Sequence, residues 1–399
     1  MEDKLNRVPY DVKDNYSREV VQRRLQWLSE RTGRAYEYVT HYSGKPEDCR
    51  GNTDNFIGAA QVPVGLMGPL LVHGDHAKGE FFVPFATTEG ALIETYQRGA
   101  LAITKSGGVK VFINQDANHL DPVFIFNHVE EAKDFLAWVR AHKDELTEVA
   151  QSTTSFGKLV GIKPVVVGRR VILDFSFHTT DAMGANMINI ATEKVCNYIN
   201  EKCNAKRYLL RSNFSSEKKA SGVNMINGYG KEVVAEAIID KKVVKRFLFT
   251  TPEEICRSWN SWVIASISSN MVGINAHFAN GLAAMFIACG QDVAHITNAC
   301  VGLTIFELND DGDLVINLKL PNIIVGTVGG GTGLVTQREC LEMIGCYGRG
   351  KVSKFAEIVG AALVAGELGI CSGITSVHFL DPHKRAREHT RQKAFVQKE

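Results

Sequence analysis

Apolar residues recur every three or four positions near the start of the chain. Over residues 15–43, Val20, Val21, Leu25 and Leu28 share one face with charges between them, which predicts a small helical leader. From Gly51 to Pro69, Gly and Pro punctuate the text at short intervals and predict a folded loop. The run GEFFVPF then reads as a strand. In ATTEGALIETYQRGALAI, Thr87 or Thr88 can cap a helix beginning near Glu89, with Leu92, Tyr96 and Ala100 on one face. Residues 109–126 read as two strands, VKVFI and PVFIF, separated by a polar turn.

The pattern changes over about 128–212. EEAKDFLAWVRAHKDEL is an amphipathic helix, KPVVVGRRVILDFSF is strand text, ANMINIATEKVCNYINE is helix again, and KRYLLR is a strand. A helix–strand–strand–helix–strand unit following a strand predicts a small α+β sandwich inserted in a larger domain. Beyond Lys219, residues 275–296 form a small-residue-rich helix that is apolar nearly all round, and KFAEIVGAALVAGELGICSGIT forms another. Such helices are buried. Between them, LVINLKLPNIIVGTVGGGTGLV reads as strand, turn, strand and glycine loop.

Composition narrows the class. The 399 residues allow two or three domains. Lys+Arg 45 against Asp+Glu 44 gives no global field for nucleic acid or a membrane surface. The N-terminus is polar and acid-containing, unlike a signal peptide, and no uninterrupted apolar run reaches about 18 residues, so no membrane span is expected. Nine scattered cysteines without a C-x-x-C pair fit reduced thiols in a cytoplasmic protein and neither a disulfide frame nor a zinc site; no metal is expected.

Several residues could carry chemistry. Asp292, read as lying within an apolar helix, needs a partner; it either caps a neighbouring loop or tunes a cation. Glu89 at a helix start is, alone, an ordinary first-turn acid. His383 lies in a basic tail with Lys384, Arg385 and Arg387, which could hold a phosphate. GTVGGGTG, Gly326 to Gly333, does not satisfy G-x-G-x-x-G but suits close backbone approach. DAMGANM, Asp181 to Met187, follows a strand and opens a helix, where backbone N–H groups can meet an anion. NFSSEKKASG, Asn213 to Gly222, is either solvated surface or holds a catalytic cation.

Together, DNFIGAAQVPVGLMGPL, ATTEGALIETYQRG, DAMGANMI, EKK, NAHFANG…ACGQD, GTVGGGT and a late histidine occur in the order seen in hydroxymethylglutaryl-CoA reductases. From about Arg50 onward the chain resembles the soluble catalytic portion of the class I branch. The resemblance implies an α+β fold: a large mixed α/β domain round a buried central helix (51–121 and 213–399), an inserted ferredoxin-like NADP-binding domain (122–212) and a small N-terminal helical domain (1–50). It implies reduction of an acyl-CoA thioester to an alcohol by two hydride transfers from NADPH, in a homodimer or tetramer with active sites at the interface. Lys218 would be the oxyanion cation, Glu89 the proton donor, Asp292 the group between them, and His383 the acid for the departing sulfur. Asp181, Met183, Gly184, Ala185, Asn186, Met187, Gly326, Thr327 and Arg387 would meet the cofactor. So would Ser155 and Phe156, although relatives often carry arginine there. Asp54, Asn55, Arg98, Leu120, Arg211, Asn213, Glu217, Lys219, Asn260, His277 and Asn280 would face the CoA substrate.

The resemblance breaks at the acyl end. Where the family carries an arginine in D-G-M-T-R-G/A-P, the chain reads DANHLDP with Leu120. Where it carries a lysine before N-A-H, the chain has Asn260, or Trp262 if a two-residue gap is placed to its right. Glu217 replaces an aspartate, Arg211 a serine and Asp54 a glutamate. Three explanations follow: Arg211 or Arg257 replaces the lost cations, the substrate is another thioester, or the chain binds CoA or NADPH without turnover.

Overall fold

The computed structural model describes residues 7–154, 157–203 and 205–376, so Ser155, Phe156, His383 and Arg387 lie outside the described residues. Helix α1 (Arg18–Thr32) starts at Ser17, whose hydroxyl accepts the Val20 N–H, and stops at Gly33 with φ of 66°. The left-handed residue explains why the helix does not run to 43. Val21 and Leu25 join Tyr16 and Phe56 in a small core, and Leu28 is only half-buried.

Strands β1 (Val64–Gly74) and β2 (Lys78–Ala86) form an antiparallel hairpin, so the loop expected up to Pro69 gives way to strand at Val64. Helix α2 (Leu92–Lys105) begins after Glu89. Ala91 is its N-cap, while the Thr87 hydroxyl instead accepts the Glu89 N–H at 3.0 Å. Leu92, Tyr96 and Ala100 are buried.

The expected polar turn at 116–122 is mostly strand. β3 runs unbroken from Val109 to Leu120 and belongs to two ladders. Lys110–Ala117 pair with β8 (Gly230–Ile239), and Asn118–Leu120 pair with β6 (Arg170–His178). Polar side chains survive here because each finds a distant partner: Lys231 reaches Asp116 at 2.9 Å, and Asn118 donates to Thr179 and Met183 O.

After β3 come β4 (Val123–Ile125), α3 (Val129–Ala141), α4 (Lys143–Gln151), β5 (Lys158–Val167), β6, α5 (Ala185–Lys202) and β7 (Arg207–Leu209). The helix expected as one segment breaks at His142. Strand order is β7-β4-β6-β5, antiparallel throughout, a split βαβ arrangement. Its own core includes Leu120, Phe124, Phe135, Phe175, Phe177 and Val195.

The chain then returns through α6 (Gly222–Asn227), β8, α7 (Lys241–Val243), α8 (Pro252–Ser268), α9 (Phe278–Ala288), α10 (Ile296–Ala299), β9 (Leu303–Leu308), β10 (Leu314–Ile323), α11 (Val335–Met343) and α12 (Val352–Thr375). The helix expected over 275–296 is only α9, followed by a turn. α12 is buried without a break from Phe355 to Gly369 and packs on α2, α9, β8 and β10. It is the one helix among the described residues long and apolar enough to cross a membrane, and 83% of its apolar window is buried in the fold. α2 crosses it so closely that a Cβ on Gly99 would stand 1.9 Å from the Ala365 carbonyl oxygen. Two acids inside α12 face backbone donors. Glu357 accepts from His76 and Ala77, and Glu367 accepts from Ala276, His277 and the Thr304 hydroxyl.

Candidate active site

The segment between β7 and α6 is a pinned loop. Ser216 and Lys218 take left-handed φ of 55° and 58°. Lys219 N–H donates to Ser216 O, and Asn224 donates to Lys219 O at 2.9 Å. This geometry aims Lys218 Nζ at Asp292, 2.6 Å from Oδ2. Asp292 does not lie in an apolar helix. It follows the left-handed Gly290 and caps a short 3₁₀ turn, accepting the Ala294 N–H at 3.0 Å. Partial burial pushes its carboxyl up. The Lys218 hydrogen bond, the Ala294 N–H and the charges of His295 and Lys218 together outweigh that and leave it below the usual value. Asp292 therefore fills both expected roles at once: it caps a turn and it pairs with a cation.

His295 is a site residue that local pattern does not single out. Its ring is buried 4.0 Å behind Asp292, and burial pushes its pKa down while Asp292 opposes. The available signal is its spacing, one turn beyond the acid.

Arg211, Asn213, Glu217, Lys218 and Lys219 line one cavity of about 420 Å³. Arg211 donates through Nη1 to Glu217, and through Nε and Nη2 to Asn189 Oδ1 at 3.1 and 2.9 Å. Lys219 Nζ donates to the Glu217 carbonyl at 3.2 Å. The charged run is thus a walled site. Two residues expected beside it are elsewhere. Leu120 is 2% exposed and packs in the insert's core, because β3 continues as strand where a turn was expected. Asn260 is exposed on α8, and Arg257, one helical turn before it, pairs with Glu254.

A second cluster surrounds Glu89. Asn280 Nδ2 bridges both Glu89 carboxylate oxygens at 3.0 and 2.9 Å. The buried His277 lies next to it; burial lowers its pKa while Glu89 opposes. Its carbonyl accepts the Tyr96 hydroxyl at 2.9 Å, and its N–H donates to Glu367 at 2.6 Å. Arg98 is half-buried on α2, one turn after Glu94. Asp54 and Asn55 are exposed in the loop before Phe56. That loop borders a second cavity of about 710 Å³ between the N-terminal segment and α11.

At the insert, Gly184 caps α5 with φ of 80°, and no side chain caps the helix. The first-turn N–H groups of Ala185, Asn186 and Met187 therefore start an uncapped helix. Asp181 is occupied elsewhere. Its carboxylate accepts the N–H groups of Gly350, Lys351 and Val352, capping α12. Its carbonyl accepts the Thr327 N–H at 2.9 Å, and Thr327 is fully buried. Thr327 is thus closed off from a cofactor, while Asp181 stays half-exposed with these bonds made. Gly326 is clasped by Gln291 through both its N–H and its carbonyl. A Cβ there would stand 3.0 Å from the Met183 N, so the glycine loop docks on the Asp181–Met183 segment. Met183 gives its carbonyl to Asn118.

Beneath the loop lies a buried polar group that local pattern could not reveal. His119 Nδ1 is 2.7 Å from Asp174, and Asp121 is fully buried beside that pair. Burial, then the charge of Asp174, push the Asp121 carboxyl up to about 8.

Comparison with known proteins brings these features together. Residues 20–388 match the sequence profile of the family described as hydroxymethylglutaryl-coenzyme A reductase. The chain is 43% identical over 371 residues to the 3-hydroxy-3-methylglutaryl-coenzyme A reductase of Methanocaldococcus jannaschii, covering 90% of this chain and 91% of that one. Against the enzyme of the same name from Pyrococcus horikoshii it is 42% identical over 370 residues, covering 90% of each. Its fold is similar to that of the class II 3-hydroxy-3-methylglutaryl-CoA reductase from Streptococcus pneumoniae bound to NADPH in open conformations. That likeness has a TM-score of 0.68 over 88% of this chain and 93% of that one, at 18% identity.

Proposed function

The chain belongs to the hydroxymethylglutaryl-coenzyme A reductase family, and from that premise we propose that it reduces 3-hydroxy-3-methylglutaryl-coenzyme A to mevalonate. The observation that carries the reading is the 2.6 Å contact between Lys218 and Asp292 at the wall of the Arg211–Lys219 cavity.

Each step of the reaction falls to a particular side chain. Lys218 meets the charge that grows on the thioester oxygen as the carbonyl carbon is reduced, and Asp292 aims the ammonium. The thiohemiacetal then breaks its C–S bond, and the sulfur leaves with a proton; His383 takes this role by resemblance. Glu89, oriented by Asn280, gives a proton to the aldehyde oxygen as the alcohol forms. NADPH, when bound, supplies the hydride in both reductions. The uncapped first turn of α5, with donor N–H groups at Ala185, Asn186 and Met187, fits its pyrophosphate.

A homodimer completes this reading. Ile264 and Ile267 on α8, with Met271 and Val272 just beyond it, are 42–67% exposed and form an apolar patch suited to a second copy. The nine cysteines are all unpaired, which fits a reducing compartment such as the cytosol.

The test is NADPH absorbance with hydroxymethylglutaryl-coenzyme A, with released thiol titrated in parallel. Two NADPH consumed per thiol are expected. NADPH binding without turnover of any acyl-coenzyme A would overturn the proposal. Sedimentation of Ile267→Glu against the native chain tests the dimer.

A further inference from the structure

His295 and Lys218 address the same oxygen. Asp292 Oδ2 stands 2.6 Å from Lys218 Nζ and 4.0 Å from His295 Nε2, while Asp292 Oδ1 is tied to the Ala294 N–H at 3.0 Å. The imidazole is sealed in. His295 is 1% exposed, and the Tyr229 ring lies tilted against it with centroids 6.3 Å apart. Its other nitrogen, Nδ1, lies 3.4 Å from Asn298 Oδ1, an amide oxygen that fixes the neutral ring's one proton on Nδ1. Nε2 is then a bare lone pair turned toward the Lys218–Asp292 pair, just beyond hydrogen-bond reach.

A second proton changes which groups compete. Among the described residues, Asp292 Oδ2 is the acceptor that an Nε2–H faces. The Lys218 side chain is 40% exposed, so its ammonium can turn to water instead. The charges around the ring are Asp292 on its own turn, and Lys218 and Glu217 on the loop between β7 and α6. Asn298 on α10 and Tyr229 before β8 are its neutral polar neighbours. Burial pushes the imidazole below its ordinary 6.5; Asp292 opposes this and Lys218 adds to it. Partial burial raises the Asp292 carboxyl, but the Lys218 and Ala294 bonds and the nearby charges outweigh it and hold it below its ordinary 3.8. The first proton taken up at this corner therefore falls on the ring.

We propose that His295 sets the aim of Lys218 from behind: as a neutral ring it leaves Asp292 Oδ2 to the ammonium, and as an imidazolium it takes that oxygen and lets the ammonium go. His295 is a positioning residue for the oxyanion cation and touches no substrate. The inference rests on the proposed thioester reduction and adds an acid-side control to it, made by moving one hydrogen bond on one carboxylate oxygen.

Two measurements test it. The first is the pH profile of kcat for NADPH-dependent reduction of hydroxymethylglutaryl-coenzyme A by the native chain and by His295→Gln, which keeps an amide N–H near Asp292 but cannot titrate. Whatever its plateau rate, the variant is expected to lose the acid limb that the native chain shows below the ordinary histidine value of 6.5. The same acid limb in both, with only the plateau lowered, is the mark of a merely structural ring and overturns the proposal. The second needs no turnover. In NMR spectra of histidine-labelled protein, the His295 signal is identified by its absence from His295→Gln. Lys218→Ala ends the competition for Oδ2 and should raise the His295 titration midpoint by about one pH unit, roughly a tenfold gain in proton affinity. Asp292→Asn should lower it. An unmoved midpoint in Lys218→Ala overturns the proposal. If no thioester is reduced, the proposed reduction fails, and the midpoint shift still decides the role of His295.

Discussion

Lys218 Nζ and Asp292 Oδ2 stand 2.6 Å apart, although 74 positions separate them in the chain. The left-handed backbone at Lys218 and the cap at Asp292 hold the two ends independently of each other. Lys218→Ala should lower turnover by about 100- to 1,000-fold, the scale for losing one oxyanion partner, with NADPH affinity unchanged. Stopped-flow hydride transfer and a fluorescence titration of NADPH check the two halves. Retained activity would move the oxyanion role to Lys219.

Asn280 fixes both oxygens of Glu89. Glu89→Gln should cost about 100-fold or more in the second reduction, seen as aldehyde accumulation. Asn280→Asp, which faces Glu89 with a like charge, should lower kcat more than Asn280→Ala. Equal rates for the two would show that Asn280 does not orient the acid.

Glu367 joins the buried core to that cluster. Glu367→Leu leaves the N–H groups of Ala276 and His277 and the Thr304 hydroxyl without their acceptor. At about 1–3 kcal/mol per orphaned group, a loss of several kcal/mol is expected in urea unfolding. Burial raises the Glu367 pKa to about 7 against the pull of those bonds. Its folded form therefore holds a proton more tightly than the unfolded chain, and its contribution to stability declines as pH rises from 4.5 to about 7.

Asp121 gives a cleaner pH signature. Its folded pKa, about 8, lies above the unfolded value of 3.8. The folded chain binds more protons between those values, so stability falls as pH rises across that window. Asp121→Asn removes this slope. The difference in Tm between about pH 5 and pH 8 should shrink in the variant, and an unchanged difference would show that Asp121 titrates normally.

Asp181→Ala should weaken the start of α12 by about 1 kcal/mol, the usual worth of a cap. Thermal unfolding should register the loss while KM for NADPH changes little. A selective rise in that KM would return Asp181 to the cofactor site.

These cases also show what could be read from the chain alone. The burial of α12 and α9, and the helix and strand order of the insert, were written in periodicity and composition, which are local. The misreadings share one cause. DANHLDP looks like a turn because Asp, Asn and Pro favour turns. Lys231, Thr179 and Asp174, which satisfy its polar side chains within a strand, are 55 or more positions away. The contacts of the Asp181 carboxylate with the N–H groups of Gly350–Val352 could not be read locally, because those partners lie 169 or more positions away. Asp292 and the loop of Lys218 each stand out as candidates by themselves, but no spacing along the chain announces their contact.

β3 is one stiff rod clamped in two ladders, with the changeover between Ala117 and Asn118. Its far end is tied as well: the Asp121 carbonyl, one residue past β3, accepts the Ser212 N–H, so the seating of the insert and the position of the loop that carries Lys218 are set by one continuous piece of chain.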